Sequence, residues 1–310
     1  FLRLFGKMIR VEIALSIGNF DAVHRGHVEI VEAARNAAGD GQVVIWSFNP
    51  SPTAFLRPET VVEQLTEFSQ RRKLLLQAGA DEVVELVPTS ALMNQSPEDF
   101  VAYFVETLSP QFVVEGEGFR FGKNREGTLE ELVQLGSKFE FSTIKVPPVE
   151  VTLQDQSVHR ASSSLVRTLI KSGRVEDAHI VLGRPITVSG TVAQGDQRGR
   201  LMHFPTANID HIQTLLPADG IYAGRGLLEN GTSYPAAISI GTKPTFGESD
   251  RTCEAHLIGF DSEPDIYGWK LELLFDHWLR DQIRFDSVED LKNAIQDDVE
   301  KTTQLLERNT

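Results

Sequence analysis

Residues 11–39 read VEIALSIGNFDAVHRGHVEIVEAARNAAG, and the change of period inside this stretch decides the fold. Val11, Ile13, Leu15 and Ile17 recur every second residue, which predicts a strand with these four on one face. From Val28 the interval lengthens. Val28, Val31, Ala34 and Ala38 fall at helical spacing, and the pattern stops at Gly39. Between strand and helix stand Gly18, Asn19, Phe20 and Asp21, then His24 and His27 with Gly26 between them. Core packing has no use for two histidines there. Residues i and i+3 of a first helical turn share a face. Free N–H groups and the positive end of the helix dipole lie at the same place, and a glycine admits a ligand close to the backbone. The combination predicts a polyphosphate site at the mouth of a strand. A lone histidine would be read as a surface residue; this pair is read as a ligand.

Outward from that stretch the alternation repeats. QVVIWSF, DEVVELV and QFVVEG are short apolar runs suited to buried parallel strands, and SQRRKLLLQAG and SPEDFVAYFVETL between them read as helices. Strand–helix alternation predicts a doubly wound α/β sheet with its ligand at the carboxyl ends of the strands. After LGRP the texture changes. Residues 185–275 hold short strands punctuated by Gly, Pro and Asp: ITVSGTVAQG, GIYAGRGLL, AAISIG, CEAHLIGF and KLELLF. About six such strands predict a small closed barrel. A last helix, with Leu291, Ile295, Val299 and Leu306 at helical spacing, is expected to pack on it. The boundary is placed near residue 183, giving domains 1–183 and 184–310.

Composition narrows the function classes. The 310 residues carry a net charge of -14, which argues against nucleic acid or an anionic membrane surface as partner. Cys253 is the single cysteine, so an intrachain disulfide and a cysteine-rich zinc site are excluded, and a reducing compartment fits. No apolar run approaches the roughly 18–20 residues of a membrane span, and FLRLFGKMIR is too short for a signal peptide. A cytoplasmic protein is expected; its oligomeric state is left open.

Two further segments carry chemistry. ASSSLVRTLIKSG begins a helix with Ser162, Ser163 and Ser164, followed by Arg167 and an apolar stripe of Leu165, Val166, Leu169 and Ile170. One serine is expected to cap the helix; the others, with Arg167, suit phosphate. In the second half, FPTANI in extended form sets Thr206 and Asn208 on one face, a hydroxyl and an amide oxygen suited to Mg²⁺. Glu254 and His256 share a face by the same arithmetic, and a carboxylate there can take a proton from an attacking alcohol. Thr-x-Asn alone is a weak signal, and a strand glutamate is usually a solvated one.

IGNFDAVHRGH, FRFGKNREG and SSSLVR, in this order, resemble the adenylyltransferase half of the bifunctional riboflavin kinase/FAD synthetase family, within the wider HxGH nucleotidyltransferases. FPTAN, IGTKPTFG, CEAHL, the pair Tyr267–Gly268 and LRDQIRFDSVEDL resemble its riboflavin kinase half. The resemblance runs from about residue 10 to 306. It implies a Rossmann-like nucleotidyltransferase domain followed by a small β-barrel kinase domain with a terminal helix. Riboflavin, FMN and ATP would be the substrates, with Mg²⁺ as the cofactor. It further implies ATP on Gly18, Asn19, Phe20, Asp21, His24, Gly26 and His27, closed by Ser162, Ser163, Ser164 and Arg167. In the kinase half it implies nucleotide contacts from Gly195, Arg200 and Pro205, metal on Thr206 and Asn208, and Glu254 as base. Phe48, Phe119, Arg120, Phe121 and Arg280 are the flavin candidates.

Four positions depart from the pattern: Ala22, Ser51 and His203 replace an expected glycine, histidine and glycine, and Gly118 replaces an expected Asn or Asp. Ala22 is tolerable at negative φ; His203 is expected to crowd the nucleotide or to add a titratable contact. The competing readings are a kinase with a silent N-terminal half, a non-catalytic flavin-binding protein, and another HxGH nucleotidyltransferase. An aminoacyl-tRNA synthetase is disfavoured by acidity and length.

Overall fold

The computed structural model describes residues 3–4, 7–8, 11–195, 199, 202–242, 251–261 and 267–307. The chain divides into two compact units, Phe1–Glu150 with His159–Ala161, and Val151–Val158 with Ser162–Thr310.

In the first unit, after a short ladder of β1 (Arg3–Leu4) and β2 (Lys7–Met8), come β3 (Ile13–Gly18), α1 (Arg25–Ala38), β4 (Gln42–Phe48), α2 (Pro52–Leu56) and α3 (Phe68–Gln77). They are followed by β5 (Glu82–Leu86), α4 (Ser90–Met93), α5 (Pro97–Leu108), β6 (Phe112–Gly116), α6 (Leu129–Phe139) and β7 (Ser142–Val146). The sheet is parallel throughout, with strand order β5-β4-β3-β6-β7. Order reverses between β3 and β6, which is where a doubly wound sheet opens its ligand crevice.

Both faces of this sheet are covered, so the period-two reading of β3 is only half right. Leu15 and Ile17 pack with Val44, Trp46, Phe100, Phe104 and Leu132 on one face. Ala14, Val43 and Ile45 pack with Val31, Ala34 and Leu75 on the other. Ser16 is buried as well, whereas Val11 lies outside the strand and is exposed. Helix α1 buries Val31, Ala34 and Ala38 as its spacing predicts, and Gly39 ends it at φ +54.

The second unit contains α7 (Ser163–Lys171) and α8 (Val175–Leu182), then β10 (Ile186–Ala193), β11 (Ala207–Asp210), β12 (Gly220–Leu228), β13 (Ser233–Thr242), β14 (Arg251–Leu257) and β15 (Lys270–Arg280). A small hairpin of β8 (Glu150–Thr152) and β9 (Val158–Arg160) precedes α7. The six strands close into a barrel in the order β10-β11-β14-β13-β12-β15, as predicted. Inward positions alternate strictly: Cys253, Ala255 and Leu257 on β14 are buried, as are Ala236, Ile238 and Ile240 on β13. Thr252, Glu254, His256 and Ser239 therefore face outward.

Helix α8 lies on β10 and β15, and α9 (Val288–Glu307) lies on β12 and β13. The helix packs on the barrel as expected, and its seat adds a polar contact to the apolar stripe. Leu291, Ile295, Val299 and Leu306 are only half-buried, and the buried residues are Asp298 and Thr302. Asp298 accepts two hydrogen bonds from Arg280, at 3.0 and 2.7 Å, so a buried ion pair docks the helix.

Candidate functional sites

In the first unit the sharp turn after β3 is built from residues that rarely make one. Phe20, Ala22 and Val23 have φ of +48°, +75° and +45°. The left-handed region is uncommon for any of these and an outlier for β-branched valine. Such strain, on the order of 1–3 kcal/mol per residue, collects at functional turns held by their surroundings. The holding groups are visible. Asp21 accepts the Leu65 and Thr66 amides and the Thr66 hydroxyl, all at 3.0–3.2 Å, and Thr66 Oγ1 receives the Ala22 amide at 3.1 Å. Asp21 was a phosphate candidate; its carboxylate is occupied in anchoring the turn.

Ala22 thus lies at positive φ, not the negative value that would make the loss of glycine harmless. Three opposing magnitudes decide its effect. A left-handed alanine costs about 1–2 kcal/mol; glycine there would lose about 0.5–1 kcal/mol in chain entropy and about 0.8 kcal/mol of methyl burial. These nearly cancel. Ala22→Gly is expected to shift folding by less than about 1 kcal/mol, whereas Ala22→Val should destabilise clearly more, both read by denaturant midpoint.

His24 is the backbone N-cap of α1, and its carbonyl accepts the His27 and Val28 amides at 2.7 and 3.1 Å. The His24 side chain makes no cap hydrogen bond and no acidic residue stands in the first turn of α1, so its positive end suits an anion. The two imidazoles stack, with centroids 3.7 Å apart at 22°, and Phe20 leans on His27 at 5.0 Å. A Cβ on Gly26 would stand 3.2 Å from the His24 ring, a tight contact. The Ala161 carbonyl lies 3.7 Å from the same point.

Arg71, which motif reading passed over, ties this end of the sheet together. It is 2% exposed and donates to the carbonyls of Asn19 (2.9 Å), Phe48 (2.8 Å) and Thr66 (3.3 Å). The only trace in sequence is an arginine one turn before Leu75 on the buried stripe of α3. Among the flavin candidates, Phe119 and Phe121 stack at 5.5 Å, but Phe121 is buried in the core beside Phe100. Phe48 and Phe119 pack on the same core half-buried, and Arg120 is exposed. Ser51 caps α2 by accepting the Ala54 amide at 3.2 Å. Gly118 leaves room for a side chain, with Arg160 3.7 Å from the would-be Cβ.

In the second unit Ser162 is the N-cap of α7, accepting the Leu165 amide at 3.2 Å; Ser163, Ser164 and Arg167 occupy the first turns. The barrel's outer face brings the kinase candidates together. Asn208 is paired with Glu254, and Thr206 Oγ1 donates to Glu254 at 3.4 Å. A Cβ on Gly195 would overlap the Asn208 side chain, and one on Gly199 would stand 3.4 Å from Thr206 Oγ1. His256 Nδ1 donates to the Pro205 carbonyl at 2.8 Å, with Phe204 edge-on to its ring, so His256 fixes the turn that presents Thr206. His203 is exposed, at φ +69. Arg200 and most of IGTKPTFG lie outside the described residues.

Comparison with known proteins joins these two arrangements. Residues 7–162 match the FAD synthetase family model and residues 182–306 the riboflavin kinase model. The bifunctional riboflavin kinase/FMN adenylyltransferase of Escherichia coli K12 is 30% identical over 284 residues, covering 91% of this chain and 88% of that protein. The chain belongs to this bifunctional family. The protein of the same name from Buchnera aphidicola is 29% identical across 94% of this chain and 93% of its own. A solved structure described as a macrolide-efflux protein from Streptococcus pneumoniae shares the fold at TM-score 0.83 and 28% identity, with 94% of each chain covered. No described helix of this riboflavin kinase/FMN adenylyltransferase family member is long and apolar enough to cross a membrane. The enzyme is a transferase with two activities, and the four departures from pattern fall on an anchored turn (Ala22), a helix cap (Ser51) and two exposed positions (Gly118 and His203).

Proposed function

We propose that the two activities occupy the two sites just described: riboflavin becomes FMN on the outer face of the barrel, and FMN becomes FAD at the histidine turn. The functional boundary is proposed near residue 183.

The observation that carries the kinase assignment is a single outward row. Strand register aligns Ala193, Asn208, Glu254, Ser239, Ile221 and Arg280 across the barrel. Asn208 and Thr206 stand on one side of Glu254. Their hard oxygens suit Mg²⁺, which needs few protein ligands and keeps water and phosphate oxygens; the metal would neutralise charge on the nucleotide phosphates. Glu254 accepts the proton of the terminal riboflavin hydroxyl as that oxygen bonds to the γ-phosphorus and ADP departs.

The acceptor must then lie on the other side of Glu254, along Ser239 and Ile221 toward Arg280. Gln282 reaches into this stretch: its amide donates to Ser239 Oγ at 3.1 Å and covers Gly241, where a Cβ would collide with it. Arg280, bound to Asp298, would orient the far end rather than offer a free charge. Gln282→Ala is expected to raise the riboflavin KM several-fold and leave the ATP KM unchanged. Equal rises in both would place the acceptor elsewhere.

In adenylyl transfer an FMN phosphate oxygen attacks the α-phosphorus of ATP and pyrophosphate leaves. No enzyme nucleophile is required, so positioning and charge stabilisation supply the rate. The α1 N-terminus, His24 and His27 receive the phosphates. A cytoplasmic location is proposed on the lone Cys253, whose burial raises its thiol pKa and removes it from exchange chemistry. ATP labelled on one phosphate tests both reactions: γ-label should appear in FMN and α-label in FAD. Label from the γ position in neither product would contradict the kinase assignment.

A further inference from the structure

The seam between β3 and β6 is the one where the crevice opens, and its hydrogen bonding is unusual. At the amino end the Gln111 amide donates to the Ile13 carbonyl at 2.9 Å, and the Ile13 amide donates to the Gln111 side chain at 2.8 Å. Backbone pairing then covers Ala14 with Phe112 and Leu15 with Val113, and ends there, although β3 continues to Gly18. Peptide groups of Ile13, Leu15 and Ile17 point the same way along a strand, so the Ile17 amide faces β6 where the ladder has ceased. A buried N–H without a partner costs about 1–3 kcal/mol. Glu115 meets it: its Oε1 accepts the Ile17 amide at 2.7 Å and the Ser16 hydroxyl at 3.3 Å.

Glu115 is 3% exposed. Burial holds its carboxyl pKa well above the ordinary value, against the lowering effect of the Ile17 and Ser16 hydrogen bonds. A buried carboxyl is an expensive substitute for a backbone carbonyl. It is explained if the strands must part at this point and still hold the main chain. Two residues beyond Ile17, the Asn19 carbonyl is gripped by Arg71 at 2.9 Å and Ser47 Oγ at 3.2 Å. The segment that enters the histidine turn is therefore fixed by side chains on both sides of the opening.

We propose that Glu115 is a positioning residue for adenylyl transfer, a side-chain rung that lets β3 and β6 separate while keeping Ile17–Asn19 in register with the phosphate site. This rests on the adenylyl reading of the first unit. The test uses the full chain, in which kinase turnover reports folding. Glu115→Ala should lower kcat for FAD formation about tenfold or more, since small misplacements are costly, with kinase turnover unchanged. It should also speed amide hydrogen exchange at Ile17. Glu115→Gln, whose amide oxygen can still accept the Ile17 bond, should restore both to within about threefold. Unchanged exchange at Ile17 in Glu115→Ala, or a glutamine variant as impaired as alanine, overturns the proposal. A wild-type chain that makes no FAD contradicts the adenylyl reading instead, and the exchange comparison still judges the rung.

Discussion

Glu254→Gln is expected to lower FMN formation by about 10²–10⁴-fold, the range a positioned general base supplies. The substitution keeps the shape of the side chain and a partner for the Thr206 hydroxyl, now 3.4 Å away. It removes only the capacity to take a proton. Glu254 stands between Asn208 and Ser239 on the outer face of the barrel, so no buried charge is stranded and the fold should persist. FAD formation from supplied FMN should continue at the wild-type rate, because the histidine turn lies in the other compact unit. If FAD formation collapsed as well in a folded variant, the assignment of separate sites would be wrong.

The complementary result is expected for His27→Ala. Loss of one preorganised group at a charge-stabilising site costs about 10²–10³-fold, and His27 also supports the His24 ring through their 3.7 Å stack. The FMN-to-FAD step should fall by about that factor while riboflavin phosphorylation is unaffected. Measured on one preparation, each activity serves as the folding control for the other. An equal loss of kinase turnover would count against the division of labour.

Much of this was legible in the residues because two local patterns are strict. The period change across residues 11–39 placed β3 and α1, and the closely spaced strands after residue 185 announced a six-stranded barrel. Thr206 and Asn208 share a face by alternation alone, as do Glu254 and His256, while the meeting of Asn208 with Glu254 needs β11–β14 pairing. What stayed hidden depends on long-range register. Ser239 becomes Glu254's neighbour only through β13–β14 pairing, and Gln282 meets Ser239 across 43 residues of chain. Arg71 and Glu115 look like ordinary charged residues until the sheet buries them. The terminal helix packs on the barrel as its spacing predicts, but the buried Asp298–Arg280 pair at its seat is invisible in sequence for a related reason. Ala22 shows the limit of motif comparison, since only the backbone reveals its positive φ.

The central claim is that one chain runs two reactions in sequence, and chromatography of the products tests it most directly. Purified protein with ATP and Mg²⁺ receives riboflavin in one tube and FMN in another. The account predicts FAD in both, with FMN appearing first in the riboflavin tube. FMN without FAD in either tube would contradict it, leaving a kinase whose histidine turn binds but does not transfer.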